Sequence, residues 1–326
     1  MDYQVLSRMK EARLIPVSIN ADGTKAKPQA LVTSVKNSTG DYTLTIKPGF
    51  QVSPYFFGSC RKDGVARHIL QVPQAGIATN SINITSFNLS DVASDAPFDG
   101  FIIGSAGRTP TYGVVENDIQ CPMNAARMLM FHYNGTTAAQ QAGLNPFEGT
   151  FTKQGTGLYT LTLRRPFFTT PYVVIQSTST TRLVEVATKD YKTITIEAVN
   201  SASGAAADAE FLVMVMGQMA RTENLKQFYP LRCPHAFTYF NPFEYNGAAN
   251  AMVRGGAYIS ASEASTAYTF VSSKKNQRSS YGLAMGSGAA ILTGVNTRTT
   301  SGFNIDVESD SRVYGLEIAM RRGRYW

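Results

Sequence analysis

The stretch "YTLTIKPGFQVSPY" runs from Tyr42 to Tyr55, and "YTLTLRRPFFTTPY" runs from Tyr159 to Tyr172. Tyr, Thr, Leu, Thr, Phe, Pro and Tyr hold the same seven of fourteen places, and two more places differ only by Ile/Leu and Lys/Arg. A chain that writes one block twice, 117 residues apart, builds one local structure twice, so a repeat of this length constrains the fold before any single motif does.

The block reads as a strand, a turn and a second strand. Tyr42, Leu44 and Ile46 alternate with Thr43 and Thr45, the period of a half-buried strand. "KPG" and "RRP" break it, because Pro lacks a ladder donor and Gly permits positive φ. Phe50 and Phe167 fill the place after the break, and "PYVVIQST" continues as an almost wholly apolar strand, buried on both faces or inside a sandwich. Gly40 and Gly157 precede the first strand as turn residues, and "NADG", "YNGT" and "YNGA" read as hairpin turns.

A third, worn copy follows. Tyr268 and Thr269 open it, Tyr281 stands thirteen residues after Tyr268, and "GFNIDVES" repeats the alternation of "SINITSF" and "TITIEAV". The connections recur as well: Arg108-Thr109, Cys121-Pro122 and Asn134-Gly135 return as Arg221-Thr222, Cys233-Pro234 and Asn246-Gly247. The period from Arg108 to Arg221 is 113 residues, too long for a solenoid repeat and right for tandem domains.

The expected fold is therefore all-β: three tandem β-sandwich domains from internal triplication, preceded by a short N-terminal helix with Val5, Leu6 and Met9 on one face. The boundaries fall at 1–13 for the N-terminal segment, 14–109 for the first sandwich, 110–222 for a linker plus the second, and 223–326 for a linker plus the third. Of 326 residues, 43% are hydrophobic and 11% aromatic, enough for real cores. Only 16% are charged, against about 25% in an average globular protein. No apolar run is long enough to span a membrane, and the opening "MDYQVLSRMKEARL" has no apolar leader core, so nothing marks export.

A search for chemistry returns little. There is no GxSxG, GxxxxGK[ST], HExxH or GxGxxG, and His68, His132 and His235 fall at unaligned places. Asp and Glu show no corresponding place in all three copies, whereas Tyr, Leu, Phe, Pro and Gly do. A fold is kept rather than a reaction, so neither enzyme activity, cofactor nor metal is expected. Cys60, Cys121 and Cys233 lie far apart with no CxxC and read as buried or half-buried thiols in a reducing compartment.

The net charge of +7 sits in short, scattered clusters (Arg164-Arg165, Lys274-Lys275 with Arg278, and Arg321-Arg322 with Arg324), which does not make the dense basic stripe of a nucleic-acid binder. The end "RRGRYW" differs. Arg321, Arg322, Arg324, Tyr325 and Trp326 have the composition of a docking peptide, and packing back onto the third sandwich is the alternative. With Val5, Leu6 and Met9 they form the expected partner-binding set. A second candidate surface is the aromatic stretch Phe237, Tyr239, Phe240, Phe243 and Tyr245, either displayed as a platform or packed against the second domain.

The pattern Y-T-x-T … F-x-x-x-P-Y-V-V-I, read over the block and the strand after it in the first two copies, resembles the short β-sandwich modules of tailed-bacteriophage virion proteins. These include fibre and collar modules and the related H-type lectin fold. The third copy departs, with Ser and Lys where Pro and Phe stand. The resemblance implies a non-enzymatic virion structural protein assembled in a bacterial cytoplasm. It would bind neighbouring virion subunits at a tail, collar or fibre, because chained sandwiches make elongated spacers. One alternative is a capsid decoration (cement) protein that stabilises the head. Another is an adhesin that binds a host surface glycan through the aromatic platform. A homo-oligomer is the default for such parts.

Overall fold

A computed structural model describes the chain except for residues 1, 8, 10, 28, 65, 74–75, 107–116, 141–147, 220–226, 235–237, 247–248, 250, 256–258, 265–266, 273–276, 288–292, 299–301, 308–311 and 322–326, with part of the last third described by its backbone alone. Every regular element among the described residues is a strand, apart from isolated bridges and turns.

The strands form six sheets, and one arrangement occurs three times. Each time, a four-stranded antiparallel sheet carries the Tyr-Thr strand at an inner place, continued as Tyr-Thr-x-Thr in the first two. In the first it joins Val32–Ser38, Asp41–Ile46, Ser81–Asn88 and His68–Gln71, in that spatial order. The second joins Gly149–Gly155, Leu158–Leu163, Thr193–Asn200 and Arg182–Lys189, and the third Ile259–Ala264, Ala267–Ser272, Gly302–Val307 and Thr293–Arg298. Facing each is a larger sheet built on three long antiparallel strands: Ala12–Ile19, Phe98–Ser105 and Tyr55–Cys60 in the first pair; Ala126–Asn134, Glu210–Gln218 and Tyr172–Ser177 in the second; Thr238–Asn246, Arg312–Arg321 and Gln277–Ser287 in the third.

The alternation read from sequence decides which face is which. In Asp41–Ile46, Tyr42, Leu44 and Ile46 are buried and the residues between are half-exposed. The larger sheets behave differently, because both of their faces are covered. Along Glu210–Gln218, Phe211, Val213 and Val215 enter the core of the second pair, while Leu212, Met214 and Met216 enter another core on the opposite face. The "PYVVIQST" strand does the same: Val173 and Ile175 point one way, Tyr172 and Val174 the other. That second core also takes Phe240, Leu283, Met285, Leu316 and Ile318 from the third pair and Phe57, Phe101 and Ile103 from the first. The three larger sheets thus pack on one another.

The connectors close this arrangement. Tyr3–Gln4 pairs with Arg232–Cys233, Leu6–Ser7 pairs with Asn117–Asp118, and Gln120–Cys121 pairs with Tyr229–Pro230, all antiparallel. Between these short strands lie Val5, Ile119 and Leu231, each fully buried. Their backbones form a closed cycle: Val5 N donates to Leu231 O at 2.9 Å, Leu231 N to Ile119 O at 2.8 Å, and Ile119 N to Val5 O at 2.8 Å. Each connector then runs parallel to the first long strand of the preceding sheet pair. Gln120 lies opposite Arg13, Arg232 opposite Arg127, and Leu6 opposite Tyr239.

A second cycle joins the larger sheets. Gly58 N donates to Met285 Sδ at 3.2 Å, Ile175 N to Ser59 Oγ at 3.1 Å, and Ala284 N to Gln176 Oε1 at 3.2 Å. The pairing registers make Gly58, Ile175 and Ala284 one equivalent position, and Ser59, Gln176 and Met285 the next.

Two expectations are corrected here. Val5, Leu6 and Met9 do not line a helix: Tyr3–Gln4 and Leu6–Ser7 are strands. An amphipathic turn would leave their backbone donors to bond within the segment, whereas the ring supplies partners from two other connectors. Nor do the sheet pairs follow one another as beads on an extended string, since the first connector lies against the third pair and closes the circuit.

Candidate functional site

Two constellations stand out among the described residues, one of them repeated. The repeated one sits at the corner where the Tyr-Thr-x-Thr strand begins. In the second pair, the Asp208 carboxylate accepts from Gly157 N at 3.0 Å and Tyr159 Oη at 3.0 Å, and pairs with Lys153 Nζ at 2.6 Å. Ala209 N donates to the same Tyr159 oxygen at 3.1 Å. The first pair repeats it: Asp95 accepts from Gly40 N at 2.8 Å and Lys36 Nζ at 2.5 Å, while Ala96 N donates to Tyr42 Oη at 3.1 Å. Gly40 and Gly157 have φ of 68° and 66°, the left-handed conformation a side chain resists. Burial pushes the Asp208 carboxyl upward, but Lys153 and the Gly157 and Tyr159 donors outweigh it, so it is held below its usual value. These carboxylates brace a corner.

The expectation concerns a place shared by all three copies, and in the first two Asp95 and Asp208 share this place in register. Asp95 and Asp208 are 113 residues apart, whereas Tyr42 and Tyr159 are 117 apart, because the loops between them differ in length.

The other constellation lies at the junction of the first and second sheet pairs. Residues after the Tyr55–Cys60 strand cross onto the small sheet of the second pair, where Arg61 bridges Val186 and Lys62 N donates to Val186 O at 2.9 Å. Lys62 Nζ meets both oxygens of Glu197 at 2.7 and 2.8 Å. Arg67 spans Glu185 at 3.2 Å and Glu197 at 2.6 Å, and Glu185 also accepts from His68 N at 3.1 Å. Burial drives the Glu185 carboxyl up to about 7 even so.

Beside this seam, Asp99 is fully buried on the outward face of its strand. Ser18 Oγ donates to it at 2.6 Å and Val173 N at 2.9 Å, Lys189 Nζ pairs with it, and Arg61 Nε stands 3.5 Å away. Burial opposes ionisation, but the surrounding Lys189, Arg61 and Lys27 charges prevail and hold Asp99 ionised. In front of it opens a cleft of about 680 Å³. Its walls carry Lys27, Arg61, Lys62 and Lys189, and no carboxylate among the described residues. Lys27 Nζ lies 4.0 Å from the centre of the Tyr172 ring and donates to Thr170 O. Burial, then Lys189, lowers the Lys27 ammonium to about 7.

No known protein family, curated protein or solved structure was found to match the chain.

The structure separates the residues expected from sequence to bind partners. Val5 and Met9 are buried within the chain and Leu6 is half-buried against the third pair, so the partner of this segment is the chain itself. Arg322, Arg324, Tyr325 and Trp326 lie outside the described residues, and Arg321 is described by its backbone only, at the end of a strand. The aromatic platform is not displayed. Phe240, Phe243 and Tyr245 are each fully buried, Tyr239 is described by its backbone, and Phe237 lies outside the described residues. Their imperfect alternation has a physical cause: Phe243 and Tyr245 face the core of the third pair, while Phe240 faces the core shared by the larger sheets. Cys60, Cys121 and Cys233 are buried thiols outside any disulfide, and Cys233 Sγ lies 3.4 Å from Thr238 Oγ1. Burial raises the Cys60 and Cys121 thiols well above their ordinary value, away from thiolate reactivity. The cleft residues escaped sequence reading because Lys27, Arg61 and Lys189 are far apart along the chain and none belongs to a motif.

Proposed function

We propose that the protein is a non-enzymatic structural subunit of a tailed-phage virion, made of three β-sandwich domains that arose by internal triplication. The domains correspond to about residues 14–109, 110–222 and 223–326, with the N-terminal segment and the two linkers acting as interlocking connectors. The observation that carries the reading is the closed cycle through Val5, Ile119 and Leu231, in which each connector extends the sheet of the preceding domain. It gives one chain the organisation of a trimer, and trimeric building blocks suit an assembly whose local symmetry is threefold. The repeated block and its likeness to fibre and collar modules supply the virion context.

Within the virion, a tail, collar or fibre-associated seat is one placement. The ring favours the other, a capsid decoration protein, because a three-lobed cap can bridge three subunits meeting at one point, whereas an extended spacer would leave its domains in line. The test is electron microscopy of particles made with and without the gene. Density lost from the shell, together with heat or osmotic sensitivity, supports decoration, and density lost from the tail or neck supports the adaptor. Absence of the protein from purified particles overturns the virion reading.

A further inference from the structure

The cleft between the first and second sheet pairs gathers cations from distant parts of the chain. Four cations reach its walls from three separated parts of the chain: Lys27 from the loop after the Ala12–Ile19 strand, Arg61 and Lys62 from the crossing segment, and Lys189 from the end of the Arg182–Lys189 strand. Lys62 is matched by Glu197, which leaves Lys27, Arg61 and Lys189 around the single charge of Asp99. Arg61 spends one nitrogen on Ile19 O at 2.9 Å, and its buried Nε makes no hydrogen bond. An excess of positive charge confined between two packed sheets is costly unless an anion completes it. Tyr172, almost fully buried, lies under the Lys27 ammonium, and the remaining wall is rich in hydroxyl and amide groups, including Thr169, Thr170, Thr188 and Gln218. The volume is that of a small-molecule site, in the range of about 300–1,000 Å³.

We propose that this cleft binds a small sugar-sized molecule bearing an oxyanion, with Lys27 and Arg61 holding a carboxylate or phosphate group and the threonine hydroxyls and Gln218 amide holding its body. Lys189 stays with Asp99, which keeps the cationic wall in place. No bond is made or broken. With the Lys27 ammonium at about 7, anion binding draws a proton onto it, and binding weakens as pH rises above that value. The charged groups facing it are Arg61, Lys62, Lys189 and, behind them, Asp99; burial lowers the Lys189 ammonium, and Asp99 beside it supports the charged form.

The test is titration calorimetry on the full chain with glucose 6-phosphate, glucuronate and glucose at low salt. Saturable one-to-one binding of either charged sugar, with a dissociation constant of about 1 mM or tighter, is expected, with glucose at least about tenfold weaker. Which charged sugar binds distinguishes the phosphate source from the carboxylate source. Lys27→Met keeps the aliphatic stem over Tyr172 and should weaken the charged ligand by about tenfold. If this variant fails to fold, raising salt from 50 to 500 mM on the native chain gives the same reading, through weaker binding of the charged sugar alone. Equal binding of glucose, indifference to both Lys27→Met and salt, or no saturable binding of any of the three by about 10 mM overturns the proposal.

Discussion

Arg127 and Asp2 lie 125 residues apart in the chain and meet through two hydrogen bonds, Nε to Oδ2 at 2.9 Å and Nη2 to Oδ1 at 3.1 Å. The guanidinium is almost fully buried and is shared with Glu148 at 2.9 Å, with Arg165 flanking both acids at 3.5–3.7 Å. This cluster fastens the first connector to the second sheet pair. Removing the cation leaves two carboxylates facing each other, so Arg127→Ala should cost about 3 kcal/mol. Asp2→Asn leaves Glu148 in place and should cost about 1 kcal/mol. Urea unfolding of the two variants measures the difference, and equal losses would place the energy in packing rather than in the ion cluster.

Deleting residues 1–7 should open the ring. It removes two short strands and one member of the Val5–Ile119–Leu231 cycle, exposing the edges of two sheets. Unpaired edges seek partners. We expect concentration-dependent dimers on size exclusion and a lower urea midpoint; a monomer of unchanged stability would show that closure contributes little.

The Glu185 carboxyl gives a pH dependence with a definite sign. Its folded value, about 7, is above the unfolded value of about 4.3. The folded state therefore binds the extra proton, and stability falls as pH rises from about 4.5 to 7, by an amount on the order of 2–3 kcal/mol. His68 opposes this, since burial lowers its imidazole and stability falls as pH drops through its unfolded value. The carboxyls of Asp95, Asp208 and Glu197 are lowered, so their stabilisation is lost only at more acid pH. Subtracting the stability profile of Glu185→Gln from that of the native chain isolates the Glu185 contribution. The variant should be relatively more stable at pH 8 than at pH 5, and parallel profiles would refute the assignment.

The braced corner predicts paired effects. Tyr159→Phe removes the donor to Asp208 and the acceptor of Ala209 N and should cost about 1–2 kcal/mol. Gly157→Ala would force a side chain into the left-handed region and to within 2.3 Å of Ala198 O, which should cost more. Tyr42→Phe and Gly40→Ala should follow the same order in the first pair. Thermal unfolding of the four variants checks whether the two corners are energetically alike.

The repeat, the strand–turn–strand reading and the double burial of "PYVVIQST" were legible because they rest on local periodicity. The buried positions of Phe50 and Phe167 and the positive φ of Gly40 and Gly157 belong with them. The ring was not legible. Its strands are two residues long and carry no period, and its partners lie more than a hundred residues apart. The spacing of Val5, Leu6 and Met9 fits a helical turn, while the strand pairing that overrides it leaves no trace nearby. The aromatics from Phe240 to Tyr245 leave display and burial both open for a different reason: a strand buried on both faces shows the residue pattern of a displayed one. Lys27, Arg61 and Lys189 are brought together only by the meeting of two sheet pairs.

In the cycle through the larger sheets, three equivalent places are occupied by Ser59, Gln176 and Met285. A trimer of identical chains must repeat each side chain three times. One gene that encodes all three lobes escapes that duty, and each seam can be edited without altering the other two. The arrangement is a keyed ring, in which one junction can specialise as a receptor while its sisters remain purely mechanical, so a binding stoichiometry of one per ring is compatible with near-threefold architecture.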